Sequence, residues 1–187
     1  TIERAGVAFA LNDFVDWAKV SDCFSYGYAV GFKAENVNSC TFLNCSADNT
    51  FEAPNVRLNT AAVGFVVSGT SGETRIIGCQ AAAHGQSGIV VDTSDNIQTT
   101  IIGCNIWSVG VHGISITGGN VTLCGNQIRN TGEGISVADA NSRVTDAGGN
   151  VFEDVTLPWG ISVATTKVRI NPFNDYPDFG NGTPAGT

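Results

Sequence analysis

The 187-residue chain has no methionine and two histidines, and only 14% of its residues are charged. No apolar run approaches the roughly 20 residues of a membrane-spanning helix and no secretory signal peptide is recognisable, so membrane insertion is not expected. Seventeen acidic and nine basic residues give a net charge of −8. Without a basic stripe to neutralise phosphates, the chain is not expected to bind nucleic acid. A start at Thr1 without methionine predicts a processed or excised piece of a longer protein.

Glycine is abundant instead, and seven of the 23 glycines open a short alternating run at near-regular intervals. These are Gly6, Gly31, Gly64, Gly88, Gly113, Gly134 and Gly160, separated by 25, 33, 24, 25, 21 and 26 residues. The first and third residues after each glycine are apolar, which predicts a strand with one buried face. Repeats of this length without helical periodicity indicate parallel strands stacked into a solenoid with one continuous core.

A second column of similar residues lies 13 to 17 residues after each glycine: Cys23, Cys45, Cys79, Cys104, Asn126, Asn150 and Asn174. Cysteines stacked one per turn lie about 4.8 Å apart with parallel side chains, which favours buried reduced thiols over disulfides. No C-x₂-C pair with a second pair or a histidine is present, so neither a metal site nor a cofactor is predicted. Buried free thiols indicate folding in a reducing cytosol.

The strand Gly-Ile-x-Val/Ile followed by Thr-x-x-Gly-Cys/Asn-x-Ile, clearest from Gly88 to Val137, resembles the right-handed parallel β-helix of pectate-lyase-like proteins. The resemblance spans about residues 6–170 and implies an all-β right-handed parallel β-helix of about seven rungs. In that superfamily, asparagine or small residues stack inside the coil at a turn, which matches the asparagines of the second column. The superfamily includes pectin-cleaving lyases and hydrolases, uronan epimerases, phage tailspike depolymerases and non-catalytic adhesins. The resemblance therefore implies an architecture more firmly than a chemistry.

The repeats predict a single β-helix domain over residues 1–170, with an inserted turn loop at 46–60 and an irregular C-terminal tail at 171–187. An insertion in a solenoid leaves from a turn and often borders the binding face. Neither end shows a helical cap, and uncovered solenoid ends pair with other chains. We therefore predict a homo-oligomer such as a trimer, or flanking segments of a longer chain.

Six residues on consecutive rungs form the candidate site. Alternation beyond the second column places three of them outward, and the other three lie across the following turn: Trp107, Arg129, Glu153, His112, Glu133 and Trp159. Aromatic rings offer apolar faces to pyranoses, while arginine and carboxylates hydrogen-bond sugar hydroxyls. This predicts substrate binding by Trp107, His112, Arg129 and Trp159. An inward or corner role is the alternative for His112, and His84 is expected on a solvated turn.

Glu133 and Glu153 are the predicted catalytic residues. Glycoside hydrolysis uses two carboxyl groups, about 5 Å apart for retention or roughly 6.5–9.5 Å apart for inversion, and neighbouring rungs allow either distance. Trp159 beside a carboxyl group would raise its pKa by desolvation, as a general acid requires. Glutamate beside arginine on adjacent strands also forms simple cross-strand ion pairs, and this alternative stays open.

The sequence therefore predicts a polysaccharide-acting β-helix, most like a tailspike depolymerase that hydrolyses a bacterial surface polysaccharide. Such a protein folds in the host cytoplasm and is carried on the virion tail. The alternatives are a non-catalytic glycan-binding or structural β-helix, such as an adhesin or stalk that is secreted or at the cell surface, and a polysaccharide lyase or epimerase.

Overall fold

The computed structural model of the chain describes residues 4–49, 61–94, 97–162 and 167–176. These residues form strands, and they contain no helix long and apolar enough to cross a membrane. The first six strands are β1 (Arg4–Asn12), β2 (Ala18–Ser21), β3 (Phe24–Tyr26), β4 (Tyr28–Glu35), β5 (Ser39–Leu43) and β6 (Ser46–Asp48). The next six are β7 (Val63–Gly69), β8 (Glu73–Ile77), β9 (Gln80–Ala82), β10 (Ser87–Thr93), β11 (Gln98–Ile102) and β12 (Asn105–Trp107). The last six are β13 (His112–Ile116), β14 (Asn120–Cys124), β15 (Gln127–Val137), β16 (Arg143–Asp146), β17 (Val151–Ile161) and β18 (Val168–Arg169).

The strands form a parallel β-solenoid, as the sequence predicts. Each turn of the coil contributes three strand segments, and every segment pairs in parallel with its counterpart in the next turn. The second segments form a seven-stranded sheet, whereas the first and third segments belong to one 11-stranded sheet because β15 and β17 each run through both positions. Six turns are complete, and the end of β17 with β18 begins a seventh.

The core is built from columns of identical positions in successive turns. One column contains Phe9, Phe32, Phe65, Ile89, Ile114, Ile135 and Trp159, paired turn by turn. The rings of Phe9 and Phe32 stack at 4.8 Å, and those of Phe32 and Phe65 stack at 4.9 Å. Burying side chains of this size stabilises the fold by about 1.5–3 kcal/mol each.

The expected register is wrong by two residues at both ends of the coil. Val7 pairs with Val30, so Phe9 takes the place that the glycine spacing assigns to Val7. Trp159 pairs with Ile135, so it takes the place assigned to Ile161. Because side chains alternate with a period of two, a shift of two residues keeps the same face buried. The apolar pattern therefore cannot detect this error.

The repeated glycines are explained by a close approach inside the coil. A Cβ atom on Gly88 would lie 2.5 Å from Cγ2 of Ile106 and 2.8 Å from the carbonyl oxygen of Gly113. The glycines at 31, 64, 113 and 134 are equally crowded by side chains of the third segments or by the next turn's backbone. Only a residue without a side chain fits where the coil turns from its third segment back to its first.

The second column points inward, as expected, and changes chemistry along the coil. All six cysteines are free, and Cys45, Cys79 and Cys104 are buried while Cys23 is half-buried. The column continues with Asn126 and Asn150, which are fully buried. Asn126 Oδ1 accepts a hydrogen bond from the Cys104 N–H at 3.0 Å, which joins the two halves of the column. Thiols therefore pack as small apolar groups in the early turns, and amides bond along the axis in the later ones.

Two parts of the predicted domain organisation lie partly outside the described residues. Of the insertion at 46–60, the structure describes β6 and Asn49, and residues 50–60 are outside the description. Of the tail at 171–187, it describes residues up to Tyr176. Asp175 continues the coil, because its N–H donates to the Asn150 carbonyl at 2.8 Å and its carbonyl accepts from the Phe152 N–H at 2.9 Å.

Candidate functional site

The third segments carry the first half of the expected site. Trp107 of β12 pairs with Arg129 of β15, and Arg129 pairs with Glu153 of β17. These residues follow one another on successive turns because each third segment begins with the same three-residue pattern, in which only the middle side chain is buried. The expected alignment of Trp107, Arg129 and Glu153 is therefore confirmed.

Arg129 and Trp107 form a cation–π contact. The guanidinium carbon lies 5.8 Å from the ring centroid of Trp107, within the range of about 6 Å over which this attraction acts. Both residues are half-buried. The pair is a partly exposed aromatic surface with a positive charge held beside it.

Glu153 is exposed on the turn that follows. Within the described ranges it makes no ion pair, although Arg129 is its neighbour in register. The guanidinium of Arg129 contacts Trp107, on the side away from Glu153. The alternative prediction, a cross-strand Arg129–Glu153 ion pair, is therefore not formed. Glu153 therefore presents a carboxylate to solvent.

The second half of the site is a chain of three polar residues on successive turns. Ser87, His112 and Glu133 align in β10, β13 and β15. Ser87 Oγ lies 3.5 Å from His112 Nδ1, and His112 Nε2 lies 3.6 Å from Glu133 Oε2. The side chains of His112 and Glu133 are 25% and 35% exposed, whereas Ser87 is only 1% exposed. The imidazole and the carboxylate lie together at the surface, but Ser87 is too buried to attack a substrate.

Gly160 makes room for Glu133. Gly160 pairs with Ser136 one turn away, and a Cβ atom built on it would overlap the Glu133 carboxylate. The carboxylate therefore lies against the backbone of the next turn. A side chain at position 160 would displace it, so the glycine leaves the space that the carboxylate occupies.

A backbone bend separates the two halves of the site. Ser108, Asn130 and Asp154 occupy the same position in successive turns and have φ angles of 54°, 54° and 52°. This left-handed conformation suits serine, asparagine and aspartate better than larger residues. The Asn130 Nδ2 amide also donates to Ser108 Oγ at 3.1 Å. The bend turns the chain between Arg129 and Glu133, so the two halves flank one corner of the coil.

The structure does not join Glu133 to Glu153. Glu153 pairs with Arg129, whereas Glu133 pairs with Leu157, so four positions along the strand and the bend at Asn130 separate their columns. No hydrogen bond or ion pair between them occurs in the described residues; the partner of Glu133 is His112. A catalytic role for this pair stays a prediction.

Trp159 is a predicted site residue that the structure places in the core instead. It was expected outside the coil in line with His112 and Glu133, but it is only 2% exposed and pairs with Ile135 in the core. Its indole contacts Phe152, with ring centroids 6.1 Å apart, and its Nε1–H donates to the Tyr176 hydroxyl at 3.3 Å. The two-residue register shift at the end of the coil moves it inside, so Leu157 takes the position beside Glu133.

The histidines differ in a way that the sequence did not reveal. His112 is at the corner of the coil and half-buried, which agrees with the alternative prediction of an inward or corner role for it. His84 was expected to be solvated, yet it is 2% exposed, and its Nε2–H donates to the Ala47 carbonyl at 3.2 Å. Burial lowers the pKa of His84 from 6.5 to about 4, against smaller opposing effects of the Ala47 carbonyl and Asp48.

Ser87 is not among the predicted site residues, although its position directly before a repeat glycine indicates it. It precedes Gly88 as His112 precedes Gly113 and Glu133 precedes Gly134. Extending that alignment by one repeat identifies it. In the part of the chain that the structure describes, no group of three His, Cys, Asp or Glu side chains is arranged to hold a metal ion.

Comparison with known proteins agrees with this architecture. A model of the right-handed β-helix region matches residues 13–166, which is most of the chain. No curated protein and no solved structure matches it significantly. The match covers all but the outermost parts of the solenoid, and the chain therefore belongs to the right-handed β-helix family.

Proposed function

We propose that the chain is a polysaccharide-acting β-helix that binds a glycan across the corner between its third and first segments, in the fourth to sixth turns. The observation that carries this proposal is the Trp107–Arg129 contact beside the His112–Glu133 pair. An aromatic ring packs against the C–H face of a pyranose, and charged groups fixed beside it hydrogen-bond the hydroxyls. Both features occur here on neighbouring turns, in partly exposed side chains.

Glycoside hydrolysis is the second candidate function, and the position of Glu133 favours it. Its carboxylate is partly exposed, lies 3.6 Å from an imidazole nitrogen and rests against Gly160. A partly exposed carboxyl group beside an imidazole suits a general acid or base. We propose Glu153 as the second carboxyl group, which requires the side chains of Glu133 and Glu153 to flank one glycosidic bond at no more than roughly 9.5 Å from each other when the glycan is bound.

The resemblance of the repeats to pectate-lyase-like β-helices extends the proposal to a biological setting. A tailspike-type depolymerase would act on a bacterial capsular polysaccharide or lipopolysaccharide, and it would be carried as a trimer on a virion tail. The reduced cysteine column is consistent with folding in a host cytoplasm. Light scattering tests the trimer, because a monomeric mass at all protein concentrations would contradict it.

The test measures binding and cleavage separately. A panel of bacterial capsular polysaccharides and lipopolysaccharides is assayed for binding to immobilised protein and for release of reducing ends. The variants are Trp107→Ala, Glu133→Gln and Glu153→Gln, with Glu73→Gln as the matched control. Glu73 is half-exposed in β8 of the other sheet, so its substitution leaves the proposed site untouched.

The outcomes separate the two candidates. Binding that Trp107→Ala weakens and Glu73→Gln preserves supports the glycan-binding site. Release of reducing ends that Glu133→Gln or Glu153→Gln abolishes, while binding persists, supports hydrolysis. Binding without release by the unchanged protein rejects hydrolysis, and binding that survives in Trp107→Ala places the site elsewhere.

A further inference from the structure

A pocket lies where first segments turn into second segments in the first three turns of the coil, away from the Trp107–Glu133 corner. It has a volume of about 310 Å³ and lies between the β1–β2 turn, the β4–β5 turn and Thr70. Its lining consists of Phe14, Asp16, Asn36, Val37, Asn38 and Thr70. This volume is at the lower end of the range for small-molecule sites, about 300–1,000 Å³.

Two aromatic side chains in the β1–β2 turn are almost fully exposed. Phe14 is 92% exposed and Trp17 is 81% exposed, more than any other large apolar residue in the described ranges except Phe173. Both have left-handed backbone conformations, with φ angles of 62° and 55°. Bulky residues rarely adopt this conformation, which costs about 1–3 kcal/mol and clusters at functional sites. The two apolar rings are therefore held in contact with water at a cost in backbone conformational energy.

The next turn of the coil holds this strained turn in place. The Asp13 N–H donates to the Glu35 carbonyl, and the Phe14 N–H donates to the Asn36 carbonyl, each at 3.0 Å. The Val15 carbonyl accepts a hydrogen bond from the Asn38 N–H at 2.9 Å. These backbone hydrogen bonds fix the turn before any ligand binds. Binding therefore loses less conformational entropy.

Polar groups beside the rings are also fixed. Asn38 Nδ2 donates to Asp16 Oδ1 at 2.9 Å, and Asn36 Nδ2 donates to Asp13 Oδ1 at 3.1 Å. Asn36 Oδ1 accepts from the backbone N–H of Thr70 at 3.0 Å. The second carboxylate oxygen of Asp16 makes no hydrogen bond with a described residue. An oriented acceptor thus stands beside an exposed ring, which suits a hydroxyl donor.

We propose that this pocket binds an uncharged pyranose, which stacks on Phe14 and donates a hydroxyl hydrogen bond to Asp16, with Trp17 as a neighbour in the same turn outside the lining. Two carboxylates, Asp13 and Asp16, stand at the turn, and the chain carries a net charge of −8. A uronate would be repelled there, so the sugar class is neutral. The inference goes beyond the proposed function, because no residue of this pocket belongs to the Trp107–Glu133 corner and either site can exist without the other.

The three tryptophans allow each site to be observed separately. In ¹⁵N-labelled protein, the indole N–H signals of Trp17, Trp107 and Trp159 are assigned from single Trp→Phe variants. Maltohexaose, cellohexaose, laminarihexaose and chitohexaose are titrated to about 10 mM, with hexagalacturonate as the charged comparison. Trp159 serves as the internal control because it is buried.

We expect at least one uncharged hexasaccharide to shift the Trp17 signal with saturation while Trp159 does not move. Phe14→Ala and Asp16→Asn are expected to weaken this binding about tenfold, a change of 1.4 kcal/mol. Phe173→Ala, which removes an equally exposed ring far along the chain, is expected to leave it within about twofold. Near-unchanged thermal unfolding of each variant shows that a lost shift is not lost folding.

Several results would overturn the proposal. They are no Trp17 shift with any uncharged sugar, an equal shift with hexagalacturonate, and a shift that survives in both Phe14→Ala and Asp16→Asn. A Trp17 signal that depends on protein concentration instead of sugar would identify the turn as a contact between copies of the chain. Movement of Trp17 alone supports this site independently of the Trp107 corner, and movement of Trp107 alone overturns it.

Discussion

Asn150 Oδ1 accepts two hydrogen bonds from Asn126, one from its backbone N–H at 2.9 Å and one from its side-chain amide at 3.0 Å. The same arrangement begins again one turn later, where the Asn150 N–H donates to Asn174 Oδ1 at 3.1 Å. Asp146 closes the ladder, because its Oδ1 accepts from Asn150 Nδ2 at 2.7 Å. Buried amides thus bond along the coil axis, where the strands' own hydrogen bonds are interrupted by a turn.

Replacing Asn150 with alanine is expected to lower the free energy of unfolding by about 3 kcal/mol, because it leaves the buried Asn126 backbone N–H without an acceptor and removes one of the two acceptors of the Asn126 amide. Urea unfolding followed by circular dichroism measures this. Asn12→Ala is the control, since Asn12 is exposed in β1 and its removal is expected to cost less than about 0.5 kcal/mol. Equal losses in the two variants would show that the ladder does not stabilise the fold.

The buried histidine predicts acid sensitivity. The pKa of His84 is about 4 in the folded chain against 6.5 ordinarily, so the unfolded chain binds the proton more tightly. Its contribution to stability is present above pH 6.5 and is lost as the pH falls towards 4. The loss is about 3 kcal/mol at 1.36 kcal/mol per pKa unit.

The measurement for His84 is the free energy of unfolding between pH 7 and 4 in the unchanged chain and in His84→Gln. Glutamine retains an N–H donor for the Ala47 carbonyl, which His84 Nε2 contacts at 3.2 Å. We expect a shallower decrease in the variant, because carboxylates contribute equally to both curves. Identical slopes would mean that His84 titrates normally.

The cysteine column predicts selective thiol reactivity. Burial raises the pKa of Cys79 and Cys104 to about 12, so almost no thiolate exists there at neutral pH. A thiol reagent such as dithionitrobenzoate is expected to modify the half-buried Cys23 and Cys124 first and the buried thiols only after unfolding. Above pH 9 the unfolded chain ionises its thiols and the folded chain does not, so stability falls with rising pH. Mass mapping of modified residues checks the order, and fast labelling of Cys79 in folded protein would contradict it.

Trp159 and Trp107 predict different losses of stability, because Trp159 is buried in the core and Trp107 is partly exposed. Trp159→Ala removes a core side chain and its contact with Phe152, so we expect it to lower the free energy of unfolding by about 3–5 kcal/mol. Trp107→Ala leaves the core intact and is expected to cost less than about 1 kcal/mol. Urea unfolding of both variants decides this. A small loss of unfolding free energy in Trp159→Ala would indicate that Trp159 lies outside the core.

Much of the site was predictable because its residues repeat with the coil. The alignment of Trp107 with Arg129 follows from their equal distance to the second column, three residues after Cys104 and Asn126. The alignment of His112 with Glu133 follows from the position of each directly before a repeat glycine. The placement of Trp159 was not predictable. The last repeat keeps the apolar alternation while shifting by two residues, and alternation reports which face is buried without reporting the register.

The amino-acid sequence by itself determined the strand type, the parallel coil and the inward column of cysteines and asparagines, because these depend on a local period that repeats seven times. Only the tertiary structure decided which partner each polar side chain takes. Arg129 faces Trp107 and not Glu153, Ser87 lies beside His112, and the Glu133 carboxylate rests on Gly160. These choices depend on the bend at the corner and on the register between turns, and neither is encoded in the spacing of one repeat.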